Sequence, residues 1–307
     1  MTKIINCINC EQKLIIPASI GDWEITCPDC GDVFIHSNSA NSIEDDVNEK
    51  IQKELLKIKN FIPRVGVFGD TGVGKSSLCN ALFGKDIAKI SNVLACTRKP
   101  QEILIPRKGG GGIVLIDVPG IGEDKVRHEE YVALYKSLAP ELDLILWAIK
   151  SDDRKYMSSI DVYEDVLSVI PNCCPVIFVV TQADKIDPID EWYESGKRTL
   201  GKTQKKNLEI KIKDISKRFR VTSGNIIPVS ASGVINLVEL VNRIVEVLPN
   251  QKKFAITREA KRENVSKEAS ENAEKGVIDH IKEVVVAVAE VVIRVIAEKI
   301  LSWRPWR

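Results

Sequence analysis

The sequence predicts an α/β protein: a mostly parallel six-stranded sheet with one antiparallel strand and helices on both faces, preceded by a small cysteine-rich module and followed by further helices. Three observations carry this expectation. Six near-continuous apolar runs alternate with helical patterns: RVGVFG (64–69), EILIP (102–106), GIVLIDV (112–118), DLILWAI (143–149), PVIFVVT (175–181) and NIIPVS (225–230). Unbroken apolar strands fit a sheet covered on both faces. The second and third runs are joined only through Gly109–Gly112, too short for a crossover helix, so they form an antiparallel hairpin. The texture changes at both ends of residues 63–250, which sets that stretch apart as one domain.

Length and composition bound the rest. At 307 residues the chain holds one large domain or two ordinary ones. Lys+Arg 44 against Asp+Glu 43 leaves +1, so no global basic field points to nucleic acid. With 44% hydrophobic and 28% charged residues, wholesale disorder is excluded. The start MTKIINCINCEQ lacks a secretory pattern, and no run of about 18 uncharged apolar residues offers a simple spanning helix. The expected compartment is the cytoplasm, with peripheral contact at the inner face of the membrane left open by the C-terminal region.

Residues 1–40 carry Cys7-x2-Cys10 and Cys27-x2-Cys30, sixteen residues apart. Four thiolates on two tight turns can close a tetrahedral Zn²⁺ site, and the intervening QKLIIPASIGDWEITCP reads as strands of a zinc ribbon. A module of this size has little core, so metal carries its stability. The closed four-cysteine set leaves no open position, which makes the zinc structural; disulfides are the alternative. His36 lies six residues past Cys30 and reads as a surface residue. Residues 41–62 follow as a helical connector, with Ile51, Leu55 and Ile58 at helical spacing and a stop before Pro63.

The first strand of the sheet runs directly into Gly69-Asp70-Thr71-Gly72-Val73-Gly74-Lys75-Ser76, a GxxxxGK[ST] match followed by a helix. Backbone amides of 72–76 can wrap a β-phosphate at a helix N-terminus. Lys75 reaches β- and γ-phosphate oxygens, and the Ser76 hydroxyl can ligate Mg²⁺. Asp70, Thr71, Gly72, Val73, Gly74, Lys75, Ser76 and Ser77 are the expected phosphate-binding set. Asp117-Val118-Pro119-Gly120 ends the third strand, where Asp117 can hold Mg²⁺ through water and the Gly120 amide can sense a γ-phosphate. Thr181-Gln182-Ala183-Asp184 ends the fifth, where a carboxylate can accept from guanine N1 and N2. Ser230-Ala231 ends the sixth, offering an amide to guanine O6. Four signals in this order at successive strand ends point to a guanine nucleotide.

RVGVFGDTGVGKSSLCNALF, ACTRKP, LIDVPGIGE and LDLILWAIKSDDR together resemble the Era-like branch of the translation-factor class of P-loop GTPases, and within it the bacterial YfjP-type family often carried by prophages and mobile elements. The resemblance spans about 61–250 and, more loosely, the apolar C-terminal helix; it does not reach the cysteine-rich start. It implies switch I near 87–101, with Thr97 meeting Mg²⁺ and the γ-phosphate. Lys75, Thr97 and Gly120 are then the catalytic group, and Ser76, Thr97 and Asp117 the Mg²⁺ set.

This sequence departs from that pattern at three positions. Gln182 replaces the Lys of [NT]KxD, whose stem packs on guanine. Ile121 follows DxxG where Ras-like enzymes carry a water-positioning Gln, and isoleucine cannot orient water. Gly72 stands where potassium-stimulated relatives carry Asn. The expected intrinsic hydrolysis is therefore slow, with acceleration from a partner, a second protomer or a mobile loop; Asp70 and Glu123 are candidates within the chain.

Residues 251–307 complete the chain. A polar segment (258–275) leads into GVIDHIKEVVVAVAEVVIRVIAEKILSWRPWR, both expected to be helical until Pro305. Asp279, Glu283, Glu290, Arg294 and Glu298 fall on one stripe of a broad apolar helix. It either packs on protein or lies in a membrane interface, anchored by its terminal Trp and Arg residues. The leading expectation is a Mg²⁺-dependent, slowly hydrolysing GTPase acting as a molecular switch. Two alternatives remain: a GTP-driven oligomerising or membrane-associated effector, in phage conflict or stress, and an RNA- or ribosome-associated GTPase whose ribbon grips RNA. The partner is an unidentified protein or a second copy of the chain.

Overall fold

The structure is a computed structural model of the chain; it describes residues 2–7, 9–17, 23–36, 43–84, 101–106, 111–117, 125–153, 157–167, 174–189, 191 and 199–284. These fall into two compact units, one formed by residues 1–60 with the described residues from Val277 onward, the other by Phe61–Gly276.

In the first unit, β1 (Thr2–Asn6) pairs antiparallel with β2 (Lys13–Pro17), and β3 (Trp23–Thr26) with β4 (Val33–His36). Each hairpin closes over one CxxC pair. The alternation of β2 turns Leu14 and Ile16 inward and leaves Ile15 exposed opposite exposed Ile4. Leu14 and Phe34 form a small core with Cys7 and Cys27. Helix α1 (Ile43–Asn60) buries Ile51, Leu55 and Ile58, the three residues its spacing aligns. Val277 and Ile281, four residues apart, are buried in the same unit.

The second unit is built on one sheet. Its strands are β5 (Arg64–Gly69), β6 (Gln101–Pro106), β7 (Gly112–Asp117), β8 (Leu144–Lys150), β9 (Val176–Thr181) and β10 (Ile226–Pro228), in the order β10-β9-β8-β5-β7-β6. All neighbours are parallel except β6 and β7, whose hairpin pairs Pro106 with Gly112. Edge strand β6 buries Ile103 on one side and leaves Leu104 exposed on the other. Because side chains alternate, the inner apolar runs feed two cores. Phe68, Ile145, Trp147, Phe178 and Val180 point to one, with α3 (Lys125–Leu138), α4 (Met157–Leu167) and α5 (Lys202–Phe219). Val65, Val67, Leu144, Leu146, Ile177 and Val179 point to the other, with α2 (Lys75–Phe83), α6 (Leu237–Val247), α7 (Asn250–Glu259) and the start of α8 (Lys267–Val284).

The expected helix over 258–275 is not continuous. The chain leaves α7 at Ala260, makes a 3₁₀ turn over Arg262–Asn264, and re-enters a helix at Lys267. Tertiary contacts force the break. The Lys261 amide donates to Leu82 O at 2.8 Å, and the buried Asn264 side chain donates to Ala81 O at 2.8 Å. Both satisfy carbonyls at the end of α2, which the helix itself cannot pair. Ser266 Oγ then accepts the Ala269 amide at 2.9 Å and starts α8. Residues 285–307, which carry most of the charged stripe and the terminal tryptophans, lie outside the described residues.

Candidate nucleotide site and cysteine cluster

The phosphate loop is shaped by where a side chain cannot fit. Gly69 ends β5 at φ 135°, and a Cβ there would lie 2.3 Å from Ala148 O on the neighbouring strand. Gly72 and Gly74 take φ 77° and 92°, turning the chain so that α2 begins at Lys75. Lys75 Nζ lies across the loop, donating to Gly69 O and Asp70 O at 3.0 Å each. Its ammonium therefore sits at the mouth of the loop, at a helix N-terminus. Ser76 and Ser77 follow in the first turn of α2, while Thr71 and Gly72 face solvent.

Asp70 does not face the open side alone. Its Oδ1 accepts the hydroxyl of buried Ser159, on α4, at 2.9 Å. Burial raises its carboxyl pKa above the ordinary value; the Ser159 hydrogen bond and the Lys75 charge pull the other way.

The base-motif residues are tied to this loop. The Thr181 hydroxyl donates to Val73 O at 2.6 Å and lies 3.3 Å from Ile149 O. Ala183 N donates to Val229 O, joining the motif to the end of β10. Ser230 is fully buried; its Oγ accepts the Gly233 amide at 2.8 Å, folding the 230–235 loop so that half-buried Ala231 lies at its start. Asp184 is 8% exposed, and its Oδ1 has no hydrogen-bond partner among the described residues. A buried orphaned carboxylate oxygen is costly unless something else supplies a donor.

The loop, Thr181–Asp184 and Ser230–Ala231 are thus brought together. Asp117 ends β7 in register with Val67, two residues before Gly69; only its backbone is described. Thr97, Gly120, Ile121 and Glu123 lie outside the described residues. The sequence reading missed three supports. Ser151 donates to Gln182 O at 2.7 Å, and the fully buried Gln204 amide donates to Asp184 O and Ile186 O at 3.2 and 3.1 Å. Ser159 is the third. None carries a spacing signal, because each reaches its partner only through the fold.

In the other unit, the four sulfur atoms of Cys7, Cys10, Cys27 and Cys30 lie within 4.8 Å of one another. Across the pairs, Cys7 to Cys30 and Cys10 to Cys27 are each 3.6 Å, far beyond a bonded S–S. A tetrahedron of Zn–S bonds of about 2.3 Å places its sulfurs about 3.8 Å apart, so the set fits that ion. The knuckles are near copies. Cys7 N donates to Gln12 O as Cys27 N does to Asp32 O, and Glu11 (φ 59°) matches Gly31 (φ 72°) in the left-handed region.

A strand–loop–helix phosphate turn beside an acidic strand-end loop, on a sheet of this order, defines a P-loop nucleotide-binding protein. A family model described as 50S ribosome-binding GTPase matches residues 64–212. The chain is 42% identical over 166 residues to the uncharacterized protein YkfA of Escherichia coli, covering 54% of this chain and 55% of that one. To the uncharacterized protein YfjP of the same organism it is 39% identical over 175 residues, 57% and 58% of the two chains. With YeeP, also from Escherichia coli, it shares 32% identity over 182 residues, 56% of this chain and 74% of that protein. The chain belongs to the Era-like P-loop GTPase family, in the group that includes these three proteins. It spans a little over half the length of YkfA and YfjP. Among solved structures, Aquifex aeolicus Era bound to GDP·AlF4⁻ overlays with a TM-score of 0.42 at 26% identity, covering 61% of this chain and 57% of that one.

Proposed function

We propose that this chain binds GTP with Mg²⁺, hydrolyses it slowly to GDP and phosphate, and acts as a molecular switch. The observation that carries the reading is the orphaned Asp184 Oδ1. Guanine brings two donors, N1–H and the 2-amino group, to such an acceptor; adenine brings no such pair. Ala231 supplies an amide for guanine O6, and Thr181 holds the base loop to the phosphate loop. Amides of 72–76 and the Lys75 charge take the phosphates.

Ser76, Thr97 and Asp117 offer hydroxyl and carboxylate oxygens, the hard donors that Mg²⁺ requires. The ion, when bound, supplies charge neutralisation on the β- and γ-phosphate oxygens. Water attacks the γ-phosphorus, and the bond from that phosphorus to the β–γ bridging oxygen breaks with its electron pair leaving on GDP. The proton of the water passes to the released phosphate or to solvent. Lys75 stabilises the charge that develops. Ile121 offers nothing to orient that water, so turnover is slow without a group supplied from elsewhere. GTP orders the segments around Thr97 and Gly120, and hydrolysis releases them.

The four cysteines hold one structural Zn²⁺. The opposed, exposed Ile4 and Ile15 give the ribbon an apolar outer strip, which suits a protein partner better than a phosphate backbone. The family model's description names ribosome binding, and that reading stands second. Among the described residues no helix is long and apolar enough to cross a membrane. We place the chain in the cytoplasm.

Competition binding with GTP, XTP and ATP tests the nucleotide. GTP should displace a labelled guanine nucleotide far better than ATP. Asp184→Asn should shift preference towards xanthine, whose 2-position accepts, by about five- to more than a hundredfold, the cost of one buried donor–acceptor mismatch. ATP competing as well as GTP with the wild type would overturn the reading.

A further inference from the structure

The residue after the base motif compensates for its irregular member. Gln182 sits at φ 53°, a left-handed conformation costly for a residue with a side chain. Two donors hold its carbonyl there: Ser151 Oγ at 2.7 Å and the Lys185 amide at 2.8 Å. A third contact fixes its side chain, because Lys185 Nζ lies 2.9 Å from Gln182 Oε1. An ammonium group has donors and no acceptor, so the amide end it meets must be the carbonyl oxygen. The amino end is thereby turned the other way, and Nε2 lies 3.8 Å from where a Cβ of Gly74 would stand. The absence of a side chain at Gly74 leaves that space open beside the phosphate loop.

We propose that Lys185 is a positioning residue that locks the Gln182 amide with its NH₂ group facing the bound nucleoside. The inference rests on the guanine-nucleotide reading of this site and deepens it. Without Lys185 the amide can rotate by half a turn and offer its oxygen instead, and an acceptor facing the oxygens of the nucleoside repels them. Lys185 acts through Gln182 and not on the nucleotide directly, so its effect must vanish when Gln182 has no amide.

The test is a double-mutant cycle on the full chain, read as affinity for fluorescently labelled GDP. The proteins are wild type, Lys185→Met, Gln182→Met, the double variant, Lys185→Arg and Lys185→Glu. Lys185→Met and Gln182→Met should each weaken GDP by about fivefold, the worth of one partly exposed hydrogen bond, and the double variant should be no weaker than Gln182→Met. Lys185→Arg, which keeps donors at the same reach, should stay close to wild type. Lys185→Glu accepts from the NH₂ group and turns it away from the site, so it should bind GDP more weakly than Lys185→Met. Additive losses in the double variant, or unchanged affinity in Lys185→Met, would overturn the proposal while leaving guanine binding intact. A wild type that binds labelled ADP as tightly as labelled GDP would remove the reading beneath it, and this proposal with it.

Discussion

Thr181→Val tests the joint between the two halves of the nucleotide site. Valine matches threonine in shape, so the packing at this buried position, 4% exposed, is kept and only the hydroxyl is lost. What disappears is the 2.6 Å bond to Val73 O, within the phosphate loop, and the looser 3.3 Å approach to Ile149 O. Val73 is itself buried, so its carbonyl loses a donor where water does not readily replace it. Removing one partner of a buried hydrogen bond costs about 1–3 kcal/mol. With ~2 kcal/mol and a urea m-value of about 2–3 kcal/mol/M, the unfolding midpoint should fall by about 0.7–1 M. GDP affinity should fall as well, because the base loop no longer fixes the phosphate loop. Thr181→Ser, which retains the hydroxyl, should preserve most of both. Urea unfolding and labelled-GDP titration on the three proteins decide it. A Thr181→Val protein with wild-type midpoint and affinity would refute the idea that this bond couples the loops.

Asn264→Ala leaves the Ala81 carbonyl at the end of α2 without its donor and should cost about 1–3 kcal/mol in urea unfolding. Glu191 accepts the Thr203 and Gln204 amides at the start of α5, and hydrogen bonds from these two residues, Thr203 first, hold its carboxyl below the ordinary value of 4.5. Its contribution is present above the unfolded-state value and is lost as pH falls through the lower folded one. The thermal midpoint of wild type should therefore exceed that of Glu191→Gln near neutrality. The gap should narrow as pH falls below the unfolded value and close below the lower folded one; a gap unchanged in acid would contradict the assignment. Elemental analysis should find about one Zn²⁺ per chain, lost when Cys7 and Cys27 are both replaced by serine. Absence of metal from protein purified without chelator would remove the ribbon's zinc.

The sheet was legible because its inner strands are covered on both faces; the edge strand β6, with Leu104 exposed, departs from that. An apolar run such as LILWAI has no other place to go, and the short Gly109–Gly112 link could only make a hairpin. The phosphate loop was legible for a different reason: its chemistry demands glycines where a Cβ would strike Ala148 O, and a lysine where α2 begins. The break between α7 and α8 was not legible. Residues 258–275 have an even helical texture, and what interrupts them is the carbonyls at the end of α2, nearly two hundred residues earlier. The orientation of Gln182 was hidden likewise. Its replacement of lysine was plain, but the donors that fix it come from Ser151 on another loop and from Lys185 just past the motif. Local pattern reports burial and backbone demands; it does not report which distant group meets a given carbonyl.

The two sides of the sheet also set how freely this sequence can drift. The core under α3, α4 and α5 concentrates rings: Phe68, Tyr135, Trp147, Tyr163, Phe178 and Phe219 interlock at centroid separations between 4.2 and 6.2 Å, several edge to face. Among the described residues, the buried members of the opposite core, beneath the helix that carries Lys75, are all aliphatic or cysteine. Exchanges among leucine, isoleucine and valine conserve volume closely enough to be absorbed there, whereas replacing one ring of a mutually oriented set disturbs the others. In diverging copies of this gene, substitutions should therefore accumulate beneath the phosphate-loop helix and be purged from the aromatic side. The half of the core nearest the chemistry is then the half freer to change.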